Sequence, residues 1–347
     1  MNAVLREDLE MITGEDIRWD KLKGKSVLIT GAGGMIGSYM LQTLALLNDQ
    51  LNYGIRILAM LRNPDRLPEE VRNRKDVEIL VHDVTERLHI EEAVDYVIHA
   101  ASPASPLIMQ NQPVETVAAN TLGTFYTLML AKEKNAEGYL YISSREIYGQ
   151  PGEGQEFFTE DTYGFVDPLN ARSCYPEGKK AAETMCICFH EEYHLNVKIA
   201  RLAHTYGPGM SIYDGRVQAD FLNNVYHNQD IVLKSEGTAV RTYTYIADAV
   251  TGLFKVLLDT EEIVYNIGNE EGKVSIRELA EIMVGIYPER NLKLVFDIPE
   301  GGTKGTAPFT LGILSSRKLR EAGWDPRYTI KEGFARTLRY LELEHVD

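Results

Sequence analysis

The chain has 347 residues, of which 36 are Lys or Arg and 51 are Asp or Glu, so its formal net charge is −15 at pH 7. This acidic balance argues against nucleic acid and against an anionic membrane surface as partners, because both are bound mainly through Lys and Arg. A hydrophobic fraction of 44% and three cysteines without disulfide or zinc spacing indicate an ordinary globular protein without a metal site.

Residues 1–23 form an N-terminal extension with scattered apolar positions, which predicts that it docks on the body of the protein. The extension has neither a secretory signal nor a transit peptide pattern, so we expect a cytoplasmic protein.

Short apolar runs then alternate with helical stretches, a pattern typical of an α/β fold with a doubly wound parallel sheet. Residues 24–205 are predicted to form a dinucleotide-binding domain and residues 206–347 a smaller, partly interleaved substrate-binding domain, with a loop over 294–311. We predict strands at 26–30, 55–61, 77–81, 96–100, 138–143, 197–202 and 263–267, and helices near 113–134, 175–194 and 216–228.

A glycine-rich turn follows the first strand and opens a helix, which is the context of a Rossmann-type phosphate-binding loop. Gly31 permits the tight turn, Gly34 lets a pyrophosphate approach the backbone, and Gly37 lets helix and strand pack closely. Met35 and Ile36 begin the helix, whose N-terminal amides and dipole favour an anion.

The end of the second strand bears on the choice of cofactor. An NAD site usually has an acidic residue there, but this chain has Leu61 followed by Arg62. Arg62 suits the 2′-phosphate of NADP, or it is a solvated or adenine-stacking residue. Asp83, with Val84, is placed to meet the adenine amino group, or it only caps a turn.

Tyr175 and Lys179 are four residues apart, so a helix would bring them to one face. A nearby ammonium group lowers the pKa of a phenol, which makes Tyr175 a candidate acid/base. Ser144 and Glu146 follow the preceding strand and are delivered to the same edge of the sheet.

With these motifs, residues 24–340 resemble the extended short-chain dehydrogenase/reductase family of nucleotide-sugar epimerases, dehydratases and decarboxylases. Within it, the sequence is most similar to UDP-glucuronate decarboxylases. The segments that carry this closer likeness are 82–84, 99–106, 167–168, 172–179, 183–185 and 214–217.

The resemblance implies NAD as cofactor, a nucleotide sugar as substrate and the following roles. Tyr175 deprotonates the sugar 4-hydroxyl while hydride leaves to the nicotinamide, Lys179 holds the ribose, and Ser144 hydrogen-bonds the reacting oxygen. The 4-ketone then allows a carboxylate at carbon 6 to leave as carbon dioxide, with Glu146 beside the sugar ring. Ala101 is implied at the cofactor.

The resemblance also implies a substrate-binding set. Arg241 matches an arginine that reaches the charged group of the substrate. His204 replaces the usual asparagine and either donates to phosphate or only packs. Arg145 replaces the aspartic acid of the 4,6-dehydratases, which disfavours dehydration. Ser102 and Arg216 complete the set.

The positions that would bind the nucleotide part of the substrate depart from the decarboxylase pattern. Lys234 stands where a base-packing tyrosine is usual, and residues 306–309 replace an Arg-Lys-Pro-Asp run for which Lys304 compensates only in part. Alternatives to decarboxylation are therefore a 4-epimerase, an NADPH-dependent ketosugar reductase, and a non-catalytic dinucleotide-binding protein. The resemblance further implies a homodimer built from the helices near 113–134 and 175–194.

Overall fold

The structure is a computed structural model that describes residues 1–298 and 312–344. The segment 306–309 and Lys304 lie outside the described residues. The strands are β1 (Ser26–Thr30), β2 (Arg56–Leu61), β3 (Val77–Val81), β4 (Tyr96–His99), β5 (Gly138–Ser144), β6 (Val197–Leu202), β7 (His204–Tyr206), β8 (Ile231–Leu233), β9 (Val240–Tyr245), β10 (Val264–Ile267), β11 (Lys273–Ser275) and β12 (Leu294–Phe296).

Eleven α-helices lie in the described part of the chain, together with several short 3-10 turns. The helices are α1 (Ala3–Thr13), α2 (Met35–Leu51), α3 (Glu69–Arg72), α4 (Pro106–Asn111), α5 (Pro113–Glu133), α6 (Cys174–Tyr193), α7 (Val217–Tyr226), α8 (Ile246–Asp259), α9 (Ile276–Val284), α10 (Arg317–Glu321) and α11 (Ile330–Glu344). No helix over 1–298 or 312–344 is long and apolar enough to cross a membrane.

The central sheet has seven parallel strands in the order β10-β6-β5-β4-β1-β2-β3. Successive side chains of a strand point to opposite faces, so apolar runs bury both. Val27 and Ile29 pack in a core with α2 and α8, whereas Leu28 packs in a second core with α5 and α6. The predicted Rossmann-type sheet is confirmed.

The strand order reverses between β1 and β4, and ligands of such sheets bind at the carboxyl ends of the strands beside this point. Two small sheets, β11-β9-β7 and β12-β8, are formed within residues 204–296, while β10 returns to the large sheet. The division at residue 205 stays a prediction. The loop predicted over 294–311 is wrong at its start, because residues 294–296 pair with β8 as strand β12.

The N-terminal extension docks on the body as expected. Val4, Leu9 and Ile12 of α1 are completely buried, and the helix packs against α2, α8 and α11. Its apolar face explains the contact, because an isolated helix of 11 residues is marginal in water without such packing.

Candidate active site

At Gly31 and Gly37, the glycine loop leaves no room for a side chain. Gly31 has φ +66°, and a Cβ added there would lie 2.8 Å from the Cα of Ala101, in the segment after β4. A Cβ on Gly37 would lie 2.3 Å from the carbonyl oxygen of Gly31. These contacts make glycine necessary for the turn and for the close approach of α2 to β1.

The start of α2 is suited to a diphosphate. Gly34 is the N-cap residue and has no side chain to accept the amides of the first turn, where Met35 and Ile36 begin a helix of 17 residues. Such an uncapped terminus combines free donors with the positive end of the helix dipole. The cradle therefore fits the pyrophosphate of a dinucleotide.

The adenosine side of the cradle holds Arg62 and Asp83. Arg62 is largely exposed, and its Nη1 lies 3.7 Å from Oδ2 of Asp83. The other carboxylate oxygen of Asp83 accepts hydrogen bonds from the backbone and hydroxyl of Thr85, and the backbone bond is the main reason that the pKa of Asp83 is lowered. Asp83 thus caps the turn. Val84 packs against Gly123 of α5, where a Cβ would lie 2.9 Å from it.

Ser144, Tyr175 and Lys179 converge at the carboxyl end of β5. Burial raises the pKa of Tyr175, and the neighbouring Ser144 side chain acts against that rise. One helical turn along α6, the Nζ of Lys179 donates to the carbonyl of Ile142 at 2.7 Å and lies 5.7 Å from the Tyr175 ring centroid. The face of α6 that carries Tyr175 and Lys179, predicted from their spacing, therefore lies at the carboxyl edge of the sheet.

The expected lowering of the Tyr175 pKa is not found in the protein alone. Burial raises the pKa of Tyr175 to about 12, with the Glu146 charge acting in the same direction. Burial also lowers the pKa of Lys179 to about 7, because a buried ammonium loses its hydration. The spacing of the two residues does not include their burial, and burial is the largest cause of both pKa shifts.

Glu146 lies in the 3-10 turn Arg145–Tyr148 that follows β5, where the hydroxyl oxygen of Ser144 accepts its backbone N–H. Its two carboxylate oxygens are each 3.0 Å from Nη2 of Arg172. Sequence reasoning gave Arg172 no role. Its only signal was its place three residues before Tyr175.

A group of buried cations lies beside these candidate acid/base residues. Arg145 and Arg241 are 6% and 7% exposed. Both approach Gly312, because a Cβ there would be 2.9 Å from Cδ of Arg241, 3.7 Å from Nε of Arg145 and 3.4 Å from Cε1 of His204. Burial and the charges of Arg145, Arg241 and Arg216 hold the pKa of His204 far below its usual value, so its imidazole is neutral.

The other two predicted substrate residues are engaged within the protein. Arg216 donates through Nη2 to the carbonyl of Ala104 at 2.6 Å, and its Nε lies 3.5 Å from Asp214. The hydroxyl of Ser102 donates to Asn120 of α5 at 2.9 Å. Arg216 thereby ties the segment after β4 to the start of α7, across the cleft.

A buried network behind the site was not predicted. Glu183, four residues after Lys179, accepts from Ser143 at 2.5 Å and from Arg201 at 2.7 Å. Its charge opposes the lowering of the Lys179 pKa. The i, i+4 spacing of Lys179 and Glu183 was the one feature of the sequence that could have predicted this network.

Within 1–298 and 312–344 there is no cluster of metal-ligating side chains.

The comparisons with known proteins identify the family of the chain. The sequence model of the NAD dependent epimerase/dehydratase family matches residues 27–268. The chain belongs to this family. UDP-glucuronic acid decarboxylase 6 of Arabidopsis thaliana is 33% identical over 308 residues, which are 88% of this chain and 86% of that protein. UDP-glucuronic acid decarboxylase 1 of Danio rerio is 31% identical, over 92% of this chain and 74% of its own.

Solved structures share the fold. An epimerase from Methanothermobacter thermautotrophicus superposes with a TM-score of 0.78 at 21% identity, over 98% of this chain and 96% of its own. UDP-glucuronic acid 4-epimerase from Bacillus cereus has a TM-score of 0.72 at 20% identity, over 92% and 100%. As a member of the epimerase/dehydratase family, the chain is an enzyme with a nicotinamide dinucleotide cofactor.

Proposed function

We propose that this enzyme decarboxylates a nucleotide-linked uronate, UDP-glucuronate, through a transient 4-ketone. The observation that carries the proposal is the buried pair Arg145 and Arg241 beside the Ser144–Tyr175 pair. The two guanidinium groups place positive charge beside the acid/base, and a sugar carboxylate carries the opposite charge. The names of the relatives support the same substrate.

The protein supplies the proton transfers of the first step. A bound nicotinamide dinucleotide would supply a reversible hydride acceptor, and the amides of Met35 and Ile36 would hold its diphosphate. Tyr175, as phenolate, takes the proton of the 4-hydroxyl, and Ser144 donates a hydrogen bond to the oxygen as it becomes a carbonyl. Lys179 would hold the ribose through its ammonium.

The 4-ketone makes the carboxylate at carbon 6 that of a β-keto acid. The bond between carbons 5 and 6 breaks, carbon dioxide leaves, and the electron pair passes to carbon 5 and the 4-oxygen as an enolate. Ser144 and the protonated Tyr175 stabilise that oxygen by hydrogen bonds. A proton from solvent would then add at carbon 5, hydride would return to carbon 4, and Tyr175 would return its proton to the 4-oxygen.

Two residues support this outcome over loss of water. A dehydration at carbon 6 needs a proton donor for the leaving hydroxyl, and Arg145, a guanidinium, stands in place of the aspartic acid that would supply it. Glu146 is an anion paired with Arg172, which suits a carboxylate that contacts the sugar ring rather than a proton donor.

We favour NAD over NADP. The pairing of Arg62 with Asp83 places a carboxylate beside the guanidinium that follows β2, and this carboxylate would repel a 2′-phosphate. NAD also fits a reaction that returns its hydride within each turnover.

We also propose a homodimer through α5 and α6. These helices pack on each other and on the sheet. Their outward side carries large apolar residues that are at least one third exposed, namely Leu122, Phe125, Ile187 and Tyr193. Burial of such a stripe is the usual basis of a stable interface. Light scattering should give twice the chain mass, and Leu122→Glu should give a monomer.

The activity is tested by mass spectrometry of UDP-glucuronate incubated with the purified enzyme and NAD. We expect the UDP-pentose to form with loss of carbon dioxide, and Tyr175→Phe to abolish it while cofactor binding is retained. An unchanged mass with a new UDP-uronate epimer would replace the proposal by 4-epimerisation. No reaction would exclude this substrate.

A further inference from the structure

The geometry of the ion pair between Arg172 and Glu146 indicates a functional role. A single nitrogen, Nη2, donates to both oxygens of the carboxylate at 3.0 Å. The Glu146 side chain is 18% exposed and the Arg172 side chain 37%. The pair is therefore partly buried, and its charges are less screened than those of a fully exposed pair.

The loop that carries Arg172 is ordered by its own polar contacts. The side chain of Asn170 accepts the N–H of Arg172 at 3.0 Å, and the side chain of Asp167 accepts the N–H of Leu169 at 3.0 Å. The hydroxyl of Ser173 donates to the carbonyl of Asp167 at 2.6 Å. Arg172 thus enters the site from a fixed backbone, directly ahead of α6.

The charges around Tyr175 come from several elements of the fold. The Glu146 carboxylate raises the pKa of Tyr175, whereas Arg172 and Arg216 lower it. The titratable and polar groups that act on Tyr175 electrostatically or lie over its ring are Ser144, Arg145, Glu146, Arg172, Lys179 and Arg216, together with the Tyr141 phenol.

We propose that Arg172 is a positioning residue that holds the Glu146 carboxylate in place and balances its charge beside the Tyr175 phenol. The inference rests on the proposed role of Tyr175 as acid/base. Without Arg172, Glu146 would be an uncompensated anion next to a group that must itself become negative, and deprotonation of Tyr175 would be harder. Because one nitrogen makes the contact, a lysine can replace it.

The test reads the phenol directly and needs no substrate. Difluorotyrosine, a more acidic phenol, is incorporated at position 175, and its titration is followed by fluorine NMR in the full-length protein with NAD. Arg172→Ala should raise the titration midpoint by roughly one pH unit. Arg172→Lys should restore most of the shift, and Glu146→Gln should move the midpoint in the opposite direction.

Arg87→Ala is the matched control, since it removes a surface arginine that pairs with Glu133 at a similar distance, 3.0 Å. It should leave the midpoint unchanged. A midpoint in Arg172→Ala equal to that of the parent would overturn the inference, and so would an equal shift in Arg172→Lys. Failure of the enzyme to decarboxylate UDP-glucuronate would leave the titration result intact, so the two proposals fail separately.

Discussion

Asp8 of α1 connects the N-terminal extension to three elements of the body. Its side chain is completely buried, and it accepts hydrogen bonds from Tyr39 of α2 at 3.0 Å, from Tyr245 at 2.7 Å and from Arg336 of α11 at 2.6 Å. Asp8→Ala would leave the Arg336 guanidinium and two buried phenols without this acceptor. We therefore expect a large loss of stability from a position far from the cleft.

The magnitude follows from the contacts. Removing one partner of a buried ion pair destabilises a protein by about 3 to 5 kcal/mol. Arg336 is 18% exposed and keeps its contact with Glu7 at 2.9 Å, so we expect the lower end, about 3 kcal/mol. Glu7→Ala removes a surface partner of the same guanidinium and should change stability by less than about 1 kcal/mol.

The assay is urea unfolding at pH 7, compared through the free energy of unfolding. The double variant Asp8→Ala/Arg336→Met should regain stability relative to Asp8→Ala, because it removes the unpaired charge as well. Two results would refute this role of Asp8. One is an Asp8→Ala variant as stable as Glu7→Ala. The other is a double variant whose loss of stability equals the sum of the losses in Asp8→Ala and in Arg336→Met.

Three further results are expected. Gly37→Ala, whose Cβ would press on the Gly31 carbonyl, should weaken NAD binding in calorimetry at least tenfold, whereas unchanged affinity would contradict the cradle. Arg62→Ala should leave the preference for NAD over NADP intact, and a switch in preference would contradict the pairing with Asp83. Burial raises the pKa of Asp248 from 3.8 to about 7, so the stability linked to this group is full below about pH 4 and is lost as pH rises to about 7. Between about pH 4 and pH 7, the free energy of unfolding of the wild type should fall by more than 1 and up to about 4 kcal/mol relative to that of Asp248→Asn. The same pH dependence in both proteins would contradict the raised pKa of Asp248.

The sheet could be predicted because its strands are buried on both faces. Strand β1 was predicted without error, and β2 and β10 within one residue, since continuous apolar runs bounded by turns leave few alternatives. Strand β12 was missed because it has three residues and two of them, Val295 and Phe296, are exposed. A pattern that depends on burial cannot identify a short edge strand.

The residues of the site could be predicted from the sequence, but the pKa changes of its titratable groups could not. The motif located Tyr175 and Lys179, yet the direction of both pKa changes depends on burial, which arises only when β5, α6 and the segment before α7 are packed together. The approach of Arg145 to Arg241 joins residues about a hundred positions apart. Such contacts follow from topology rather than from local sequence.

The most direct test of the account uses UDP-glucuronate that carries deuterium at carbon 4, with catalytic NAD and no added reductant. If carbon 4 is oxidised transiently by NAD, with Tyr175 as the base, and the same hydride returns, the UDP-pentose retains the deuterium at carbon 4. One molecule of UDP-pentose forms for each carbon dioxide released. A pentose without deuterium, or turnover that stops when the NAD is consumed, would contradict the account.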